Sequence, residues 1–410
     1  MTLRDRSLGF ERWMGRRLLE RCSVPGIELV LWEGTALRRG AAPVLGRVVV
    51  RDRAALYELL LDPDVGFGDA FSEGRIEVEG DLVRMLEAIY DAPWRPGFFG
   101  RITAALWRQR GASNTPRGSR RNIHRHYDLG NEFFELWLDP EMVYTCAYFP
   151  TPTASLEQAQ VAKLEHVARK IWVKPGDRVL ELGCGWGSLA LHLARHHGAD
   201  VTAYNISSEQ VRFARERAQR EDLGDRVRFV EDDYRNADGR YDAVVAVGML
   251  EHVGARHHLA LGETIERCLR EEGRGLLHSI GRVQPRPMDA WIERRIFPGS
   301  YAPTLDEMVG LLARFDMSVL DVENLRLHYA RTLEHWLERY EKHSEWVRQR
   351  LGDSFARAWR LYLAGSIAAF RKSSLQLWQV VFARARSNAI PWTRASLGQE
   401  ERPAWNAATS

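Results

Sequence analysis

The segment that most restricts how this chain can fold is Arg178-Val-Leu-Glu-Leu-Gly-Cys-Gly-Trp-Gly-Ser188. Val179, Leu180 and Leu182 form a short apolar run of the kind found in a buried strand. Gly183, Gly185 and Gly187 let the backbone turn tightly and approach a ligand with no side chain in the way. A helical pattern opens at Ser188, and its first N–H groups, which lack intrahelical partners, face that ligand. Strand, glycine turn and helix in this order predict an α/β sheet that cradles a nucleotide-containing cosubstrate.

A glycine turn alone suits NAD, FAD and S-adenosylmethionine alike. Here the spacing is G-x-G-x-G, with Glu181 two residues before the first glycine, and the third glycine of the dinucleotide fingerprint G-x-G-x-x-G is misplaced. The pattern E-x-G-x-G-x-G resembles that of class I S-adenosylmethionine-dependent methyltransferases. Their ligand has an amino-acid end and no phosphates, so a carboxylate beside the turn is tolerated or useful.

The residues that follow read as further βα units of a doubly wound sheet. Residues 200–205 form a second strand that ends in Asn205, where such folds commonly place an acid for the ribose hydroxyls; Ile206, Ser207 and Gln210 come next. A third strand, 227–231, leads to Asp233 and Tyr234, where polar side chains could meet adenine. The fourth, 241–247, ends beside Glu251, and a further strand, 275–280, brings His278 and Ile280 to the same edge, where open α/β sheets bind ligands. A helix from Leu156, apolar at Leu164, Val167, Ala168 and Ile171, ends at Lys174-Pro-Gly and delivers the chain to the first strand.

Before this domain lies a small α+β unit, with strands at 27–32 and 47–51, a helix at 54–61, a loop at 68–74 and a helix at 82–90. It carries no catalytic constellation, which leaves lipid holding, partner docking or dimerisation. Residues 332–382 read as an amphipathic helical cap rich in aromatics. The expected division is 1–92, a basic linker at 93–125, and a catalytic domain with its cap at 126–395.

The net charge is only +3, but it is unevenly placed: residues 92–127 hold no acid, while eight arginines fall among Trp94, Phe98, Phe99, Leu106 and Trp107. A solvated linker, contact with anionic lipid headgroups, and RNA binding all fit this segment. No apolar run approaches a bilayer span and no secretory signal is visible, so a cytoplasmic chain, or one resting peripherally on the inner membrane surface, is expected. The four cysteines lack paired metal spacing, so neither structural zinc nor disulfides are expected.

Several motifs together resemble the cyclopropane-fatty-acyl-phospholipid synthases and their mycolic-acid relatives. They are Tyr-Thr-Cys-Ala-Tyr-Phe at 144–149, Gly-Cys-Gly-Trp-Gly at 183–187, Gly-Met-Leu-Glu-His-Val-Gly at 248–254, Leu-His-Ser-Ile-Gly at 277–281, Ile-Phe-Pro-Gly at 296–299, His-Tyr-Ala-Arg-Thr-Leu at 328–333 and Gln-Leu-Trp-Gln-Val-Val-Phe at 376–382. The resemblance implies methylene transfer from S-adenosylmethionine to a cis double bond of an unsaturated phospholipid acyl chain, by a homodimer at the inner leaflet. It implies a bicarbonate base held by Cys146, Glu251, His278, Ile280 and Tyr329. For the cosubstrate it implies Tyr144, Thr145, Glu181, Gly183, Cys184, Gly185, Gly187, Asn205, Ile206, Ser207, Gln210, Asp233 and Tyr234.

The reaction leaves a carbocation, which water would trap, so the pocket should be apolar and aromatic. Tyr148, Phe149, Trp291, Phe297, Tyr301 and Tyr329 are candidate walls. Ser366 stands where some members carry a cysteine, and Asn205 where threonine is common. C-methylation without ring closure and a non-catalytic lipid-binding role stay open. Nucleic acid is not expected as substrate, because no Asp/Asn-Pro-Pro-Tyr/Phe motif is present.

Overall fold

The computed structural model describes residues 3–92 and 129–394, so the arginine-rich segment and its proposed contacts lie outside the described residues. The N-terminal unit contains α1 (Leu3–Cys22), β1 (Ile27–Val30), β2 (Ala36–Arg38), β3 (Gly46–Val50), α2 (Arg53–Leu61), α3 (Pro63–Ser72), β4 (Ile76–Gly80) and α4 (Leu82–Asp91). Its sheet runs β2-β1-β3-β4, with β1 and β3 parallel.

Residues 68–74, expected as a loop, belong largely to α3. Pro63 at the first turn suits a helix start, and the glycines are there for packing. A Cβ on Gly66 would lie 2.6 Å from the Glu58 carbonyl oxygen, and one on Gly68 2.3 Å from the Trp291 ring.

The larger unit begins with the short helix α5 (Asn131–Glu135) and α6 (Leu156–Lys170), whose start carries a reciprocal cap between Ser155 and Gln158. Then come β5 (Arg178–Leu182), α7 (Ser188–His197), β6 (Asp200–Asn205), α8 (Ser208–Arg220), β7 (Val227–Glu231), β8 (Tyr241–Val247), α9 (Leu250–Val253), α10 (His258–Cys268) and β9 (Leu269–Gly281). The chain closes through α11 (Leu305–Arg314), β10 (Met317–Asn324), α12 (Arg326–Lys342), α13 (Ser344–Leu351), α14 (Asp353–Arg371) and β11 (Gln376–Arg384).

The seven strands order as β10-β11-β9-β8-β5-β6-β7, and β11 runs antiparallel to both of its neighbours. This is the expected doubly wound sheet with one correction. The helical cap stops at Arg371, and 376–384 is an inserted strand in which Leu377, Val380, Val381 and Phe382 are buried. β-branched and aromatic residues there fit a strand covered on both faces.

Helices α12 to α14 form the cap, and it is welded to the N-terminal unit. Arg357 of α14 donates to the carbonyls of Phe71 (2.7 Å) and Ile76 (2.9 Å). Trp291 Nε1 donates to Asp69 (3.2 Å), which also pairs with Arg295. One apolar core runs through both, from Leu56, Phe71 and Met85 to Trp336, Trp359 and Phe370. Each large side chain buried there contributes roughly 1.5 to 3 kcal/mol.

Candidate active site

The glycine turn has the geometry its sequence requires. Gly183, Gly185 and Gly187 have φ of 81°, 51° and 86°, a region costly for any residue with a Cβ. A Cβ on Gly185 would meet open space, whereas one on Gly187 would lie 2.6 Å from the Phe229 ring. The first and third glycines are thus needed for packing as well as for turning, since a Cβ on Gly183 would press on Met249 at 3.0 Å.

Around the turn, Asn205 Nδ2 donates to the Gly185 carbonyl (3.1 Å) and to Gln210 Oε1 (2.9 Å). Ser207 caps α8, and Ile206 lies between these two polar residues. Cys184 packs its side chain into the core beneath the sheet, with burial pushing the thiol pKa well up, so its backbone is what remains for a ligand. Asp233, expected near adenine, is committed to Arg235 (2.7 Å) and caps the short turn that holds Tyr234. The Tyr234 hydroxyl is buried without a partner among the described residues.

Beside this turn a partly open cavity of about 200 Å³ runs between the sheet edge, the cap and the N-terminal unit. Cys146, Glu251, His278, Ile280 and Tyr329 all line it, as do Tyr144 and Thr145 from the cosubstrate set. Residues scattered over nearly two hundred positions of sequence meet here because β8 and β9 end at the same edge and α12 crosses above them. Gly248 belongs to the same wall, pressed so closely on Thr145 that a Cβ would lie 2.6 Å from its methyl group.

Burial raises the Glu251 carboxyl to about 7, against hydrogen bonds that favour its charge. Ser279 Oγ donates to it (2.9 Å), and the Ile280 N–H, expected to serve a bound anion, donates to its other oxygen at 3.4 Å. His278 is 1% exposed, and burial drives its pKa well below 6.5, so the ring is neutral. Gln379 Nε2 donates to Nδ1 (3.0 Å), which places the ring proton on Nε2. That Nε2 is buried with no partner among the described residues. Cys146 is a protonated thiol donating to the Ala147 carbonyl (3.2 Å), its pKa raised by burial.

Of the expected walls, Trp291, Phe297 and Tyr329 line the cavity. Tyr148, Phe149 and Tyr301 are corrected: they do not. Tyr148 stacks between His166 and His328 at 4.2 and 5.0 Å, Phe149 lies against His335, and the Tyr301 hydroxyl donates to Glu307 (2.7 Å). Tyr362 does line it, and its hydroxyl bonds that of Tyr144 (2.9 Å). Ser366 lines it as well. The N-terminal unit, in which no catalytic constellation was expected, contributes Asp64, Phe67, Leu86 and Tyr90 to the lining.

Sequence reasoning missed Lys163. It is 2% exposed, and its Nζ donates to Thr145 Oγ1 (3.0 Å). Burial lowers its pKa to about 8, opposed by the facing Asp139, Cys146 and Glu181. Desolvation likewise lifts Glu181 to about 7 and Asp139 to about 6. The signal was in the pattern: Lys163 shares the apolar stripe of α6 with Val167, where an unpaired charge has no place. Glu165, His192 and His197 are the one group among the described residues that could hold a metal ion, with ligand atoms within 4.8 Å of one another. They gather at the far end of α7 from the glycine turn.

The sequence profile described as mycolic acid cyclopropane synthetase matches residues 114–380. A probable fatty acid methyltransferase of Pseudomonas putida is 35% identical over 385 residues, covering 90% of this chain and 96% of that one. A cyclopropane-fatty-acyl-phospholipid synthase of Escherichia coli is 37% identical over 266 residues, covering 65% of this chain and 68% of the other. The crystal structure of a mycolic acid cyclopropane synthase complexed with SAH and CTAB aligns with a TM-score of 0.62 at 26% identity, over 64% of this chain and 97% of that chain. The chain belongs to the mycolic acid cyclopropane synthetase family.

Proposed function

We propose that this chain is an S-adenosylmethionine-dependent lipid methyltransferase that converts the cis double bond of an unsaturated phospholipid acyl chain into a cyclopropane ring. The observation that carries this reading is one cavity beside the glycine turn in which Glu251, His278 and Tyr329 meet a mainly apolar and aromatic lining. S-adenosylmethionine supplies the methyl carbon. The three left-handed glycines, the free space at Gly185 and the Asn205–Gln210 pair suit its approach, and SAH occupies the related mycolic acid cyclopropane synthase.

In the reaction, the alkene's electron pair forms a bond to the methyl carbon as the sulfur–carbon bond breaks. A proton then leaves that carbon, and its electrons close the ring. An unactivated alkene needs close positioning in a dry slot, which Leu86, Leu333, Leu361 and Phe370 provide. The ring faces of Trp291, Phe297, Tyr329 and Tyr362 favour the transient positive charge. Burial keeps the His252 imidazole neutral as well, its pKa lowered to about 4, so that ring adds no positive charge to the wall.

A bicarbonate, where bound, supplies the proton acceptor. The unpartnered Nε2–H of His278 is a ready donor to an oxyanion, and Glu251, balanced near neutrality, can take the proton onward. Methylation without ring closure is the second reading, favoured by the name of the Pseudomonas putida relative. Peripheral contact with the inner leaflet through the arginine-rich segment, cytoplasmic placement and a homodimer belong to the same proposal, with no role for nucleic acid. No helix among the described residues is long and apolar enough to cross a membrane.

Glu251→Gln tests the assignment. Product formation should fall about a hundredfold while S-adenosylmethionine affinity, measured by calorimetry, stays unchanged. Equal losses in both would overturn it.

A further inference from the structure

Arg282 is a charge in the cavity wall that the reaction does not use. It follows Gly281 at the end of β9, and it is 6% exposed. Nη2 donates to the thioether sulfur of Met288 (3.4 Å), a weak acceptor. Nε is buried with no partner among the described residues. Burial lowers the pKa to about 10, so the guanidinium is still charged at neutral pH. Asp289 acts on it across the cavity, but no carboxylate among the described residues forms a direct ion pair with it; a buried cation so incompletely compensated is costly, and a built cavity that holds one points to an occupant with an anionic end.

Its place relative to the reacting end is set by the strand. Alternation puts His278, Ile280 and Arg282 on one face of β9, and all three line the cavity. At roughly 3.3 Å per residue, Arg282 stands about 13 Å along from His278. Between and opposite them the lining is mainly apolar, so an extended hydrocarbon chain joins the two ends. Exposed Asp64 and Asp289 also line the cavity on the Arg282 side, where Arg286 is held by the Ser374 carbonyl (3.1 Å). The two carboxylates repel a second negative charge, so a singly charged group suits the position.

We propose that Arg282 binds the singly charged anionic end of the acyl substrate, the carboxylate of a fatty acid or the phosphodiester of a phospholipid. The interval between Arg282 and His278 then sets which double bond reaches the reacting end. This rests on the acyl-lipid reading above, and it is tested by binding without turnover. The probe is a fluorescent polyene fatty acid, titrated alongside its methyl ester against the wild type, Arg282→Gln and Arg282→Lys.

The wild type should bind the acid at least about tenfold more tightly than the ester. Arg282→Gln should erase that difference with ester affinity intact, and Arg282→Lys should restore part of it. Phosphatidylglycerol micelles serve as the competing arm. Weaker displacement of the probe in Arg282→Gln assigns the phosphodiester to the same site, and unchanged displacement assigns Arg282 to carboxylates. Equal affinity for acid and ester in the wild type, or equal weakening of both by Arg282→Gln, would overturn the proposal. A wild type that prefers the acid but turns over no lipid would refute the enzymatic reading and leave the binding site standing.

Discussion

Replacing Glu251 by glutamine separates the charge of that carboxyl from its shape. Glutamine mimics the neutral acid: its oxygen can accept from the Ile280 N–H, and its amide can donate to Ser279 Oγ, which keeps its own bond to the Ile280 carbonyl. Moving the carboxyl from its ordinary 4.5 to about 7 costs the ionised form roughly 3 kcal/mol. Because the folded value is raised, the stability tied to the neutral acid is complete below 4.5 and is lost as pH rises through about 7. The glutamine variant has no such loss.

Wild type and variant should therefore unfold alike at about pH 4.5, while well above pH 7 the variant should be more stable by roughly 3 kcal/mol, a rise of a few degrees in melting temperature. Calorimetry across that range reads the difference, and comparison with the wild type cancels the titration of other groups. A stability difference that does not change with pH would show that the carboxyl titrates at its ordinary value, refuting the account of a desolvated, near-neutral Glu251.

Gly187→Ala combines a left-handed φ with a Cβ 2.6 Å from the Phe229 ring, so it should destabilise by more than about 1 kcal/mol and weaken cosubstrate binding; an unaltered melting temperature would contradict this. Lys163→Met removes the cation facing Asp139 and Glu181 and should cost about 3 kcal/mol or more. Adding Glu181→Gln should recover part of that loss, and strictly additive losses would count against the coupling. If the arginine-rich segment at 92–127 meets anionic headgroups, vesicle binding should fall steeply as salt rises; salt-independent binding would point to an apolar dock instead.

The parts of the fold that could be read from sequence were those whose signal is local. The β5 run, its three glycines and the following helix announce themselves in eleven residues, and β6, β7 and β8 fall at 200–205, 227–231 and 241–247 as expected. What was illegible depended on partners far away in the chain. Gly68 suggests the start of a loop until Trp291 is seen against it, where only glycine fits the helix. Trp378 and Phe382 continue the aromatic run of the cap, but pairing with β9 and β10 makes them a strand.

The same division holds for the site. Glu251 and His278 stand at the ends of recognisable strands, so the sheet edge could be inferred. Lys163 left only a weak trace, a charge on the apolar stripe of α6, Arg282 looks like an ordinary surface charge until tertiary packing buries it, and the lining residues of the N-terminal unit form no recognisable motif.

The most direct measurement follows the donor's methyl group. The protein is incubated with S-adenosylmethionine carrying a fully deuterated methyl and an unsaturated phospholipid, and the product is examined by mass spectrometry and NMR. Ring-proton signals with two of the three deuteriums retained are predicted, because one leaves to the acceptor beside His278 and Glu251. A branched chain that keeps all three deuteriums and shows no ring signal would contradict the account.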